Sequence, residues 1–388
     1  PMLTIPFIRD NRDLVIERLA VKNFTDAGLI DRIIAADNDR RKIQASTNEW
    51  QAEMNTLSKE IGNLFREGKK EEAQAAKTRT TEIKEQIREG GARLQEISRQ
   101  LEEWLVLVPN IPHPSVPAGK SESDNVVVRE GGEKPRLDGD PLPHWELGKK
   151  YDIIDFDLGV KLTGAGFPVY KGKGARLQRA LINWFLENNE TAGYLEILPP
   201  LMVNEASGFG TGQLPDKEGQ MYHIGSDDYY LIPTAEVPVT NMYRDVILSQ
   251  RDLPVKNTAY TPCFRREAGS YGKEVRGLNR VHQFDKVEIV QICHPENSYQ
   301  ALEEMVEHVE QLVKTLGLPY RILRLCGGDL GFTSALTYDF EVYAAAQDRW
   351  LEVSSVSNFE AYQANRLKLR YKPEEEKKPR LVHTLNGS

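Results

Sequence analysis

A chain of 388 residues is longer than one compact domain usually holds, so two domains are expected. With 40% hydrophobic and 28% charged residues it reads as globular rather than disordered, and no apolar run approaches the roughly 18 residues of a membrane span. A net charge of -8 argues against nonspecific coating of nucleic acid but leaves room for a local basic patch. The first residues, Pro1 to Asp13, carry charges early and lack the pattern of a secretory signal; Pro1 ahead of Met2 reads as an added residue. Cys263, Cys293 and Cys326 form no CxxC pair, and their odd count fits a reducing cytoplasm.

The first hundred residues carry one pattern. Trp50, Met54, Leu57, Ile61 and Leu64 are spaced 4, 3, 4, 3. Ile83, Ile87, Gly90, Leu94, Ile97, Leu101, Trp104 and Val108 repeat that spacing, with Gly90 as the one non-apolar slot. This is a coiled-coil seam written twice. The polar turn Arg66-Glu67-Gly68-Lys69-Lys70 lies between the two runs, so helices over 37–66 and 71–107 must run antiparallel. Gly90-Gly91 should weaken the second helix by about 1 kcal/mol per Gly. The arm holds 13 Lys/Arg and 14 Asp/Glu between 37 and 103. Its charge alone therefore does not distinguish a dimerisation element from an RNA grip.

Four prolines between Pro109 and Pro117 predict a stiff connector and a domain boundary. The expected division is a helical arm over 1–108, a linker over 109–120 and a second domain over 121–388. In the second domain, β-rich runs at Tyr229–Ile232, Val287–Ile292 and Tyr338–Val342 alternate irregularly with helical patterns at 175–190 and 298–316. That irregularity favours an α+β fold with an antiparallel sheet. Gly208-Phe209-Gly210-Thr211-Gly212 lacks the lysine and spacing of a phosphate loop and reads as a flexible loop. His223-Ile224-Gly225-Ser226 lacks the surrounding pattern a class I synthetase signature needs. No HxxxH pair argues for zinc. The run Pro373 to Pro379 reads as a solvated charged loop.

Joining a carboxylate to the α-phosphate of ATP brings two anions together. It needs fixed cations, carboxylates to hold Mg²⁺, and a counter-charge for an amino acid's ammonium. The segment Pro262 to Glu288 meets this demand. Phe264-Arg265-Arg266-Glu267 leads into a loop with Gly269, Gly272, Arg276, Gly277 and Arg280, then returns through His282-Gln283-Phe284-Asp285-Lys286-Val287-Glu288. Arginine pairs bidentately with phosphate, and Phe284 can stack on adenine. The competing reading is a surface hairpin with solvated charges, and for a lone FRxE it would prevail.

The whole phrase, however, resembles motif 2 of class II aminoacyl-tRNA synthetases. Gly193 to Met202 looks like motif 1, with Pro200 as its proline. Thr234-Ala235-Glu236, Arg280 to Glu288, Glu352-Val353-Ser354-Ser355-Val356-Ser357-Asn358, Leu385-Asn386-Gly387-Ser388 and the connector Pro109-Asn110-Ile111-Pro112-His113 are similar to phrases of bacterial seryl-tRNA synthetases. The resemblance spans essentially the whole chain, hairpin included.

It implies an N-terminal antiparallel two-helix coiled-coil arm that grips tRNA, followed by a class II antiparallel sheet flanked by helices. The implied reaction is activation of serine with ATP and Mg²⁺ and transfer to tRNA(Ser), and also to tRNA(Sec), by a cytoplasmic homodimer built on motif 1. Thr234, Ala235, Glu236, Arg265, Glu288 and Ser388 would bind serine, with Arg265 and Glu288 catalytic. Arg265, Arg266, Glu267, Arg280, Val281, Phe284, Glu352, Val353, Ser354 and Ser355 would bind ATP. Glu352 and Ser355 would hold Mg²⁺, and Lys286 would pair with Glu288. Lys77, Arg79, Lys84 and Arg88 are the arm's candidate tRNA contacts. The family's motif 3 continues from Gly387-Ser388 into a helix with an ATP-binding arginine, which lies beyond this sequence, so less than full activity is expected. The rivals are a relative that loads a carrier protein, disfavoured by the arm, and an inactive paralogue that binds RNA or protein.

Overall fold

The computed structural model describes residues 3–268 and 276–388. Pro1, Met2, Gly269 and Gly272 lie outside the described residues. The chain divides into two compact units. One comprises Thr4–Glu17 and Phe24–Pro109; the other comprises Arg18–Asn23 and Asn110–Ser388. Among the described residues no helix is long and apolar enough to cross a membrane.

The first unit is dominated by two long helices, α1 (Ala27–Arg66) and α2 (Lys70–Leu105). They turn back on each other at Gly68, whose φ of 78° suits glycine. α1 starts ten residues before the predicted position. Asp26 caps it by accepting from the Leu29 amide at 2.8 Å, and Leu29, Ile30 and Ile33 extend the buried stripe. Asp37 interrupts that stripe in sequence, yet it is buried because Arg9 (2.8 Å) and Arg40 (2.7 Å) hold it. α2 runs unbroken through Gly90-Gly91. A Cβ at Gly90 would lie 2.8 Å from Thr47 Oγ1, so glycine there permits close helix approach. Of the candidate arm cations, Arg79 is held by Glu53 and Glu82, Arg88 by Glu85, and Lys77 lies over the Phe65 ring.

The second unit is built on an eight-stranded sheet among the described residues. In chain order its strands are β1 (Val126–Gly131), β2 (Leu195–Glu196), β3 (Val255–Phe264), β4 (Gln283–Cys293), β5 (Tyr320–Arg324), β6 (Leu336–Ala344), β7 (Arg349–Asn358) and β8 (His383–Gly387). Their spatial order is β1-β5-β6-β7-β8-β4-β3-β2. All neighbours are antiparallel except the parallel β2–β3 pair. Helix α3 (Lys173–Thr191) precedes β2, and short helices α4 (Glu205–Thr211) and α5 (Glu236–Asn241) precede β3. α6 (Ser298–Thr315) packs Leu302, Met305 and Val309 into a core with Ile289, Ile322, Phe340, Val356 and Leu385. That core covers one sheet face, so the alternate residues of β4, β6 and β7 are presented on the other.

The glycine-rich segment predicted as a flexible loop is helical instead. Gly208–Gly212 lies in α4 and its cap, where a Cβ at Gly210 would meet Asn241 and Leu367 at 2.6 Å; the glycines serve close packing. The proline-rich connector is docked from Asn110 onward. Its amide donates to Phe332 O, and its side chain donates to Thr333 O and Phe359 O, each at 2.9 Å; Val116 enters the core. His223-Ile224 is a short strand paired with Tyr229-Tyr230. The run Pro373–Pro379 connects two short strands, Arg370–Lys372 and Arg380–Leu381.

Candidate active site

Lys286 and Glu288 are two residues apart on β4 and share a sheet face. Lys286 Nζ lies 2.6 Å from Glu288 Oε2 and donates to Thr234 Oγ1 at 2.8 Å. Thr234 in turn donates to Glu288 Oε2 at 2.9 Å, so each buried polar group is satisfied. Thr234 also accepts the Glu236 amide at 3.2 Å, which ties the start of α5 to β4. Glu236 is buried. Gln363, on α7 (Tyr362–Leu367), donates to its Oε1 at 2.5 Å, and Gln213 approaches Oε2 at 3.5 Å. Burial first, and then the Glu288 charge, push the Glu236 carboxyl up to about 7, against the opposing effects of Gln363 and Lys286. Ala235 packs with Val239, Ala259 and Val290, so its side chain shapes the wall from behind. Ser388 follows Gly387, the last residue of β8, which pairs with both Ile289 of β4 and Val356 of β7.

Arg265 bridges this pocket to an aromatic platform. Its Nε donates to Pro233 O at 3.4 Å, and its Cζ lies 5.1 Å from the Phe284 ring centroid. Across the same hairpin Arg280 Nη1 donates to Glu267 Oε2 at 2.7 Å, and Val281 is buried beside them. Arg266, the next residue along, is not gathered with Arg265. It lines a separate open pocket of about 390 Å³ with Asp216, Met221 and Tyr230. Alternation along an extended segment sends neighbouring side chains opposite ways, which the sequence phrase alone concealed.

A third cluster forms where β6 and β7 pair. Asp339 lies opposite Ser355 and Glu341 opposite Glu352, with a bulge beside them at Val353. Burial drives the Asp339 carboxyl upward, Glu352 adds to the effect, and the Ser355 hydroxyl opposes it. Crowding by protein also raises Glu352, which remains open to solvent; Asp329 and Glu341 add, while Arg265 and Lys286 pull it down. The acidic cluster is therefore electrostatically continuous with the two cations of the first pocket. Ser354, grouped with the site in sequence, pairs with Phe340 and shares the core face with Val356, and its buried hydroxyl makes no hydrogen bond. It lies behind the site. Val353 is half exposed at the bulge.

Residues 2–112 match the family model described as the seryl-tRNA synthetase N-terminal domain, and residues 222–388 match the tRNA synthetase class II core domain (G, H, P, S and T). The serine–tRNA ligase of Salinibacter ruber is 52% identical over 387 residues, covering 100% of this chain and 90% of the relative. This chain belongs to the seryl-tRNA synthetases. The Geotalea uraniireducens serine–tRNA ligase is 48% identical, with 100% and 91% of the two chains covered. Among solved structures, the seryl-tRNA synthetase of Pyrococcus horikoshii complexed with ATP superposes with a TM-score of 0.94 at 34% identity, covering 100% of this chain and 91% of that one. The α+β class II fold and the helical arm are thus those of a seryl-tRNA synthetase.

Four residues gathered at this candidate site had no role assigned from the sequence: Asp339, Gln363, Gln213 and Asn386. Asp339 had a signal, since it is one of two charged members, with Glu341, of the strand run Tyr338–Val342. Asn386 faces Glu236 from β8 and lay inside a recognised phrase. Gln363 and Gln213 carried none, because only the tertiary fold brings a residue of α7 and one after α4 to the same carboxylate.

Proposed function

We infer that the chain is an ATP-dependent serine–tRNA ligase whose front sheet face carries out serine activation. The observation that carries the reading is the run of alternating charge on that face. Two buried carboxylates, Glu236 and Glu288, stand beside Thr234; Arg265 follows with the Phe284 ring, and then Asp339, Glu352 and Ser355. Glu236 and Glu288 supply the negative side that an ammonium and a hydroxyl group need. Arg265 orients the serine carboxylate against the α-phosphate and stabilises the charge that develops there. Phe284 stacks on adenine, with Glu267 and Arg280 holding the base and the outer phosphates.

Among the described residues no group of three or more His, Cys, Asp or Glu forms a metal cage. Magnesium does not require one: it binds through one or two carboxylates together with substrate phosphates. Glu352, Ser355 and Asp339 fit as that hard-oxygen set, two carboxyls whose charged forms are disfavoured, beside a hydroxyl. When bound there, Mg²⁺ would neutralise phosphate charge and polarise the α-phosphate. The arm grips tRNA(Ser), with tRNA(Sec) as a further substrate, and the enzyme works as a cytoplasmic homodimer. Serine-dependent exchange of pyrophosphate into ATP, followed by charging of tRNA(Ser), tests the reading. Exchange driven equally by alanine or threonine, or absent with serine, would overturn it.

A further inference from the structure

The two buried carboxylates of the serine pocket are held in opposite ways. Glu288 has a protein cation, Lys286, at 2.6 Å. Glu236 has none within ion-pair distance among the described residues; its hydrogen-bond partners are the amides of Gln363 and Gln213. Gln363 is itself fully engaged. Its Nε2 donates to Glu236 Oε1 at 2.5 Å and to Thr211 O at 3.1 Å, while its Oε1 accepts from the Thr384 hydroxyl at 2.7 Å. Gln363, Thr211 and Thr384 are all buried. The amide cannot be turned over, because a flip would set Oε1 against a carboxylate and a carbonyl, neither of which donates. Glu236 Oε1 therefore faces an amide donor of fixed orientation.

We propose that Gln363 is a positioning residue for serine activation, holding the Glu236 carboxylate in the orientation and charge state that receive the substrate's ammonium group. The proposal rests on the reading of Glu236 as part of the serine pocket. A carboxylate without a protein cation draws its counter-charge from the ligand, and an amide donor favours its charged form. Among the described residues, the charged groups that act most on Glu236 are Glu288, which disfavours its charge, and Lys286, which favours it, both on β4; the amides of Gln363, Asn386 and Gln213 approach it from α7, β8 and the segment after α4. Removing the Gln363 amide therefore raises the pH at which Glu236 ionises. Serine binding should then weaken at a pH where the wild type still binds well.

The experiment compares wild type, Gln363→Met, Thr384→Val and Glu236→Gln by pyrophosphate exchange between pH 6 and 8.5, with KM for serine and for ATP measured separately. Gln363→Met keeps the volume and loses the donor. Its serine KM should rise on the order of tenfold near pH 7, recover partly toward pH 8.5, and leave KM for ATP within about twofold. Thr384→Val removes only the anchor of the amide and should shift serine KM in the same direction by less, which provides the test if Gln363→Met fails to fold. Wild-type serine KM and pH profile in Thr384→Val and in folded Gln363→Met, with serine activation lost in Glu236→Gln, would overturn the positioning role while leaving the pocket assignment standing. Wild-type serine KM in Glu236→Gln would overturn both.

Discussion

The Arg265 guanidinium carbon lies 5.1 Å from the centroid of the Phe284 ring, and the same side chain donates to Pro233 O, one residue before Thr234. One cation thus touches both the aromatic platform and the entrance of the carboxylate pocket. Arg265→Ala should lower kcat/KM for serine-dependent exchange about 100- to 1000-fold, the usual cost of losing a donor to developing charge. Arg265→Lys should recover little, since a point charge does not reproduce a planar fork. Phe284→Leu should raise KM for ATP several-fold and spare KM for serine. Steady-state exchange kinetics separate the two, and an Arg265→Ala effect confined to KM for ATP would count against the bridging role.

Glu288 accepts from Thr234 and pairs with Lys286, and all three side chains lie on β4 or against it. Glu288→Ala leaves the largely buried Lys286 ammonium without its counter-charge and the buried Thr234 hydroxyl without its acceptor. It should abolish serine activation and also cost about 3–5 kcal/mol of stability, as one-sided removal of a buried ion pair usually does. Glu288→Gln keeps the shape and one acceptor oxygen, so it should melt closer to wild type while still losing exchange. Near-wild-type exchange in Glu288→Gln would place the pocket elsewhere.

Legibility in the sequence followed the periodicity. The arm's two seams, the strand at Tyr338–Val342 and the helix at 298–316 were readable because their apolar spacing matches one face each. The start of α1 was missed because Asp37 looks like an end to a stripe, and its burial depends on Arg9, 28 residues away in sequence, as well as on Arg40. The glycines at 208–212 read as a loop because glycine signals both flexibility and close packing. Within the site, side chains on recognised phrases were found, but their direction was not. Ser354 and Ser355 are adjacent and face opposite sides of the sheet, and the bulge at Val353 depends on a partner strand that the local phrase does not contain.

The Asp339 and Glu352 carboxyls are both raised, chiefly by burial and by protein crowding, with neighbouring acidic charge adding. A divalent cation relieves that repulsion. Glu352→Gln should raise the Mg²⁺ concentration needed for half-maximal exchange about tenfold, a neutral amide being the weaker ligand. Asp339→Asn should do the same to a smaller degree. A Mg²⁺ titration of exchange at fixed ATP checks both, and unchanged midpoints would remove Glu352 from the metal set.

His383 shares its Nδ1 with Ser298 Oγ at 2.8 Å, and burial lowers its imidazolium pKa to about 4. An unfolded histidine titrates near 6.5. Between those values the unfolded state takes up a proton that the folded state refuses, so stability falls as pH drops from about 6.5 toward 4. The loss traceable to His383 is at most about 3 kcal/mol. His383→Gln should be less stable than wild type at pH 7 and lose less on acidification. Parallel denaturant titrations at pH 7 and pH 4.5 would show the two curves converging; a constant gap would mean that His383 keeps its ordinary titration.

If the arm grips tRNA as proposed, shortening it should separate the two reaction steps. Gly90 touches Thr47 closely enough to fix where α1 and α2 meet, so the hairpin can be shortened outside that contact without disturbing the helices below it. Removing residues 51–86 and joining Trp50 to Ile87 through a short glycine turn leaves Thr47, Gly90 and the Asp37 cluster intact. Serine-dependent exchange should remain within about twofold of wild type, because the deletion removes no residue assigned to the sheet-face site. Charging of tRNA(Ser) should fall by at least a hundredfold, because helices on the order of 55–60 Å long lose about 25 Å of their outer ends. Finer mapping should favour Lys84 over Arg79 and Arg88, whose guanidiniums are already engaged by Glu53 and Glu85. Replacing a phosphate-contacting lysine should reduce the salt slope of tRNA binding by about one. A shortened enzyme that keeps full charging would show that the arm's outer part serves some purpose other than gripping tRNA. One that loses exchange as well would show that the hairpin supports the catalytic fold.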